Sequence, residues 1–207
     1  MRVTRVVAAL RALTLILAGL ALASCDDAGG GGACGGVDNN GVCLFVSSID
    51  PLDTTGPTIN VDVIFTTSDC NADGTPDDPE PFSDHDAVVD FGSFTIGNVP
   101  TTSTRIFITS YTISYAINPG SFPGPVPPSV TIGTGSAIVV PTNGAVQATV
   151  TIFNQQQKTD FVAAGYIVGT EPSYTATYTF RGEDEFGNSV FVNASQQLLL
   201  ADFLNCP

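Results

Sequence analysis

The chain has no tryptophan, one histidine, one methionine and six basic residues among its 207. Each scarcity removes a class of function. With His85 as the only imidazole, a Ser-His-Asp relay would have to be built on it, and no G-x-S-x-G elbow accompanies it. The run Gly-Thr-Gly-Ser-Ala at 133–137 has its glycines and serine in the wrong order. No H-E-x-x-H helix, phosphate-binding loop or dinucleotide fingerprint occurs either. Without tryptophan, a sugar-stacking cleft loses its usual platform. Six basic against 20 acidic residues give a formal charge of −14, which repels phosphates and excludes nucleic acid as a simple partner. An anionic membrane surface is repelled too, so attachment to a membrane has to come from a lipid. Apolar content is ordinary at 43%, which suits a folded domain needing counter-ions and not a disordered tail.

Long apolar runs are also lacking, apart from one at the start. Arg2, Arg5 and Arg11 precede an apolar stretch from Ala12 to Ala23. That is the charged and then apolar order of a secretory signal, too short to span a bilayer comfortably. It ends in Leu22-Ala23-Ser24-Cys25, which resembles the lipobox of bacterial lipoproteins. The resemblance implies a leader over 1–24, acylation of Cys25 and a location in the bacterial cell envelope, on the periplasmic face or the cell surface. The plainer reading is an ordinary secreted protein cut near Ala23. Residues 25–33 then hold the lipidated Cys and a Gly-rich tether with no means of packing, and 34–207 form the domain. Beyond the leader only Arg105, Lys158 and Arg181 are basic.

Four further cysteines, Cys34, Cys43, Cys70 and Cys206, are an even number in an exported chain and predict two disulfides. Three pairings are possible. The Gly/Asn-rich turn between Cys34 and Cys43 makes a local staple there plausible, which leaves Cys70 for Cys206. Thiolate metal ligation is the alternative, though no C-x-x-C pair exists.

From Cys43 onward apolar residues alternate with polar ones. Ile59, Val61, Val63 and Phe65 fall on one face, with Asn60 and Asp62 on the other. Phe107, Tyr111, Ile113, Tyr115 and Ile117 share a face, as do Val146, Ala148, Val150 and Ile152. Tyr174, Ala176, Tyr178 and Phe180 alternate with Thr175, Thr177, Thr179 and Arg181. Val, Ile, Thr and aromatics suit a pleated, half-buried surface. The phase slips at Gly92-Ser93, which predicts a bulge there. The Pro-rich segment from Asn118 to Pro128 predicts an extended surface loop. One short helix, of a turn or two, fits within 154–168. Short strands at regular spacing predict an all-β fold, an antiparallel sandwich of about 7–9 strands. The stretch from Tyr174 to Ser195 resembles the closing hairpin of bacterial immunoglobulin-like domains, with a Tyr-led strand and an acidic turn over Glu183–Asn188. That resemblance implies an immunoglobulin-like sandwich with Tyr174 as its corner tyrosine, although the family's Cys-Trp-Cys core is absent.

The segment Asp69–Glu80 crowds five carboxylates into one loop. Counting from Asp69, oxygen-bearing residues occupy positions 1, 3, 5, 9 and 12: Asp69, Asn71, Asp73, Asp77 and Glu80. Gly74 takes position 6, and Thr75 at position 7 offers its carbonyl. This is the D-x-[DN]-x-[DN]-G-x5-E spacing of a calcium loop. Calcium takes six to eight hard oxygens at about 2.3–2.6 Å, so alternate residues of a tight loop must point inward, and a bidentate carboxylate closes the shell. A strand precedes the loop, and Pro79 and Pro81 block a helix after it. A Cys inside an Asp-rich, Gly-bearing, helix-free loop resembles the thrombospondin type 3 calcium loop, which implies a structural Ca2+. The plainer reading is a solvated acidic turn that binds nothing. Nearby, His85 lies between Asp84 and Asp86, a set that can ligate a transition metal. More simply, these residues are the exposed start of a strand, or an oxygen donor to the loop.

These readings predict a lipid-anchored, calcium-stabilised, non-catalytic module for binding, adhesion or assembly, with the membrane and an envelope or extracellular protein as partners. The alternative is an accessory hydrolase or carbohydrate-binding domain, which would need a cleft with two carboxylates about 5–10 Å apart.

Overall fold

The computed structural model describes residues 36–37, 41–52, 58–69, 71–79, 82–96 and 105–203. Cys25, Cys34, Cys70, Glu80 and Cys206 lie outside the described residues, as do the leader and tether. Nine strands form two sheets, and two more close a ribbon. In chain order they are β1 (Gly36–Val37), β2 (Val42–Pro51), β3 (Thr58–Asp62), β4 (Thr67–Ser68), β5 (Asp78–Pro79), β6 (His85–Thr95), β7 (Ile106–Ile117), β8 (Val130–Val140), β9 (Ala145–Phe153), β10 (Ser173–Asp184) and β11 (Ser189–Ala201). The helix α1 spans Gln155–Ala163. The smaller sheet runs β1-β2-β6-β9 and the larger β3-β11-β10-β7-β8; β4 and β5 pair separately. This is an all-β sandwich. No helix among the described residues is long and apolar enough to cross a membrane.

Alternation builds the layers, with one correction in β7. The register slips between Ile108 and Ser110, so Ile106 and Ile108 turn to the core with Tyr111 and Ile113, while Phe107 and Ile117, expected on that face, do not. Val42, Leu44 and Val46 of β2 and Ala87, Val89 and Phe91 of β6 face Ile106, Ile108 and Ile113 of β7 and Tyr174, Tyr178 and Phe180 of β10. Phe91 meets Phe180 edge-on across the sheets, 4.8 Å between ring centres. Offset and edge-on ring contacts of this kind add roughly 0.5–1.5 kcal/mol beyond area burial.

Other local departures from the sequence reading have clear causes. The β2–β6 register slips between Val46 and Ser48, so the bulge lies in β2 and not at Gly92-Ser93. Gly92 is instead opposite Phe45, whose ring lies where a Cβ would sit, 2.2 Å from it. One pairing is parallel: β3 runs alongside β11, Ile59 against Leu198 and Val61 against Leu200. In that setting Asp62 is buried, its Oδ1 accepting from the backbone N–H of Ile64 and Phe203. Phe65, beyond the strand, is exposed and stacks edge-on with Phe82. Tyr174 does not close its own corner: its hydroxyl donates to the carbonyl of Pro125, 2.7 Å away in the Pro-rich loop. β8 escapes the period-two reading because Gly133 and Gly135 interrupt it and its side chains stay mostly exposed.

The helix is held by a capping box. Asn154 accepts from the Gln157 N–H, and the Gln157 side chain accepts from the Asn154 N–H, the reciprocal arrangement that satisfies two otherwise orphaned donors. It packs at the end of the sandwich that also carries the acidic loop and the Pro-rich loop.

Candidate functional site

The acidic loop is tied at its base by the β4–β5 ribbon, with Thr67 opposite Pro79 and Ser68 opposite Asp78. Within it the side chains turn inward on alternate residues. Asp69 accepts from two consecutive amides, Asp73 N–H on Oδ1 and Gly74 N–H on Oδ2, both at 2.9 Å. Asn71 Oδ1 accepts from the same Asp73 N–H at 2.9 Å, and Asp73 Oδ1 from Thr75 N–H at 2.9 Å. Two positive-φ residues make this winding possible, Ala72 at 59° and Gly74 at 88°. The second is the place the spacing reserves for glycine, because a side chain there is strained. Asp69 and Asn71 therefore hold their oxygens within reach of one amide, and Asp73 follows in the next turn.

The remaining ligand-type residues behave differently. Asp77 is exposed, and its N–H donates to the Thr75 carbonyl, the atom expected to face an ion at position 7. Asp78, not singled out by the spacing, takes part: its Oδ2 accepts from the Asn71 N–H at 3.0 Å. Glu80 lies outside the described residues. Among the described residues, no three or more His, Cys, Asp or Glu side chains stand close enough together to hold a metal ion. The donor chemistry still fits calcium. Each carboxylate carries about four lone-pair sites, so an oxygen accepting one amide keeps capacity for a cation.

His85 and its neighbours have other work. His85 is buried at the start of β6, not exposed as the sequence suggested. Asp84 reaches across to helix α1, its Oδ1 accepting from Gln155 N–H at 2.8 Å, a favourable place for a carboxylate because helix N-termini expose unpaired amides and a positive dipole end. Gln155 Nε2 donates to the Phe82 carbonyl, and Lys158 Nζ sits 4.5 Å above the Phe82 ring. The exit of the acidic loop is thus clamped to the helix, and through it to the core, where Phe161 of α1 packs edge-on against Tyr174.

No family model matches the chain, and no curated protein does either. Its chemistry has to be read from its own residues.

Cys43 is fully buried in β2 and disulfide-bonded. Among the described residues, a groove of about 320 Å³ lies between β8 and β9. Thr134, Ser136, Thr149 and Thr151 give it hydroxyls, Ile132 and Ile138 give it apolar walls, and Tyr111 reaches it from β7. Its lining holds no carboxylate, imidazole or amine. Sequence reasoning missed this groove, although a signal was there: from Ile106 to Gln157 the chain has no charged residue.

Proposed function

We propose that this chain is a lipid-anchored, non-catalytic envelope module whose β-sandwich is steadied by calcium bound in the 69–80 loop. The observation that carries the reading is the winding of that loop. Asp69, Asn71 and Asp73 turn side-chain oxygens inward on alternate residues, and Gly74 takes the left-handed turn the spacing requires. An ion there would be held by Asp69, Asn71, Asp73 and the Thr75 carbonyl, with Asp77 and Glu80 completing the shell. It would neutralise a cluster of like charges that otherwise repel one another. Because the loop exit is clasped to α1, ordering the loop would also stiffen the end of the sandwich.

Other features support the rest of the reading. The lipobox at Leu22–Cys25 supports the anchor, and the disulfide at Cys43 supports an oxidising compartment. Cys34, Cys70 and Cys206 would supply its partner and a second bridge. The strand order β11-β10-β7-β8 facing β2-β6-β9 supports kinship with immunoglobulin-like sandwiches, whose sheets carry G-F-C-C′ and A-B-E in that order.

Thermal unfolding of the full chain in a non-ionic detergent, with calcium, with magnesium and with chelator, tests the reading. An extracellular-type site of weak affinity would give roughly 1 kcal/mol at millimolar calcium, or a Tm rise of about 2–4 °C. Asp73→Ala should abolish the difference between calcium and chelator. Identical Tm values in all three conditions would reduce the loop to a solvated acidic turn.

A further inference from the structure

The strands that edge the side of the sandwich where the two sheets part come from a segment without charge. Carboxylates stand one strand back, Asp86 and Asp90 of β6, opposite Thr151 and Gln147. The segment from Ile106 to Gln157, free of Asp, Glu, Lys, Arg and His, supplies β7, β8 and β9. β8 is the outer strand of the larger sheet and β9 the outer strand of the smaller. Both edges opening on this flank are therefore neutral, on a chain of formal charge −14. Soluble proteins ordinarily guard an open edge with charges, prolines or bulges. β8 has such a guard: while β7 advances from Ile108 to Ser110, β8 steps from Ile138 to Gly133, throwing Thr134–Ala137 out of the ladder with Gly135 at φ +72. β9 has no charge, proline or bulge between Ala145 and Thr149.

The edge of β9 is also readable atom by atom. At Thr151 the Tyr111 hydroxyl donates to the carbonyl and accepts from the N–H, each at 2.9 Å, so these groups point away from β6. Alternation along an antiparallel strand turns the peptide groups of Thr149 and Gln147 the same way, and both side chains are exposed. Beside them, Ile132, Ile138, Val146 and Ala148 are only partly buried against the core. Tyr111 thus takes the place of a neighbouring strand at one residue and leaves the next ones open.

We propose that β9 pairs with β9 of a second copy of this chain, antiparallel about a two-fold axis, joining two smaller sheets into one. Charge selects this occupant. Two bodies of this acidity repel wherever their charged surfaces meet. Along the 106–157 flank the touching strands bring no charge of their own, Asp86 and Asp90 standing one strand behind β9. A basic partner would find its complement elsewhere on the surface. An edge strand turned on itself by a two-fold is self-complementary without further adaptation. The contact does not depend on an ion in the acidic loop.

Sedimentation of the full chain in a density-matched non-ionic detergent reads the proposal directly. The protein mass should climb with concentration toward twice that of one chain, and more readily at high salt, which screens the residual repulsion. Thr149→Glu and Gln147→Glu, both at exposed positions, should each weaken association about ten-fold with Tm unchanged, because symmetry places the new negative charge in the interface twice. Should either variant lower Tm, a short bis-maleimide should still join chains carrying Gln147→Cys and not chains carrying Gln197→Cys on β11. A monomer at every concentration and salt overturns the proposal. So does a dimer indifferent to both charges, or one that the cross-linker fails to trap through position 147.

Discussion

Single hydroxyls decide how the two sheets are joined. All five tyrosines lie in the described residues, and burial raises the pKa of every one. They are not equivalent. Tyr111 bonds both backbone groups of Thr151. Tyr115 donates to the Ile152 carbonyl and accepts from Gln157 Nε2, linking β7 to β9 and to α1. Tyr178, fully buried between them, has a hydroxyl with no hydrogen-bond partner. A buried hydroxyl without a partner costs its desolvation, whereas removing one that is bonded strands its partners. Tyr111→Phe should therefore lower unfolding stability by about 1–3 kcal/mol. Tyr178→Phe should leave it unchanged or raise it by about 1 kcal/mol. Urea unfolding of both variants checks the contrast. A large loss at Tyr178 would mean that a buried water bonds its hydroxyl.

Elements were legible where burial is one-sided and obscure where pairing decides. The alternations in β9 and β10 are written in the sequence because one face of each strand meets the core and the other does not. In β7 the slip after Ile108 changes the face, so Phe107 was misplaced. A short helix was legible within 154–168, and α1 fills that window, though its capping box of Asn154 and Gln157 emerges only in the structure. Parallel β3–β11 pairing leaves no such mark, because Ile59 and Val61 alternate the same way whichever direction the neighbour runs. The calcium-type spacing from Asp69 to Glu80 was legible as a pattern. The amides that its side chains bind, and the roles of Asp78 and Asp84, depend on contacts no spacing encodes. Bulges are equally silent: glycine marks β6 at Gly92 and β10 at Gly182, yet only the second sits at a register shift, between Arg181 and Gly182. There a Cβ would lie 2.2 Å from the carbonyl oxygen of Phe107, backbone that cannot yield without moving β7. At Gly92 the obstacle is the end of the Phe45 ring, a side chain that can rotate. Gly182→Ala should thus destabilise by roughly 2–3 kcal/mol and Gly92→Ala by about 1 kcal/mol or less. Thermal melts of the two variants check the order, and reversal would mean that the β7 bulge opposite Gly182, at Thr109, is plastic.

For the molecule as a whole, acidity and buried phenols make the alkaline limit of stability the informative one. Burial holds Tyr111 and Tyr174 up at about 12 and pushes Tyr178 well above its ordinary value, whereas an unfolded chain ionises its tyrosines near 10. The folded state thus favours the neutral phenol. That stability is fully present below about pH 10 and is lost as pH rises through the folded values. Every ionisation also adds a negative charge to a chain already at −14, so the first phenolate weakens the fold around the rest. Tyrosinate absorbance should accordingly stay flat to about pH 10 and then rise in one cooperative step, coincident with loss of the β-sheet circular dichroism. No tryptophan overlaps the signal. A broad titration centred near pH 10 with the circular dichroism intact would show that the tyrosines reach water in the folded state, and the aromatic ladder between the sheets would then have to be looser than its packing indicates.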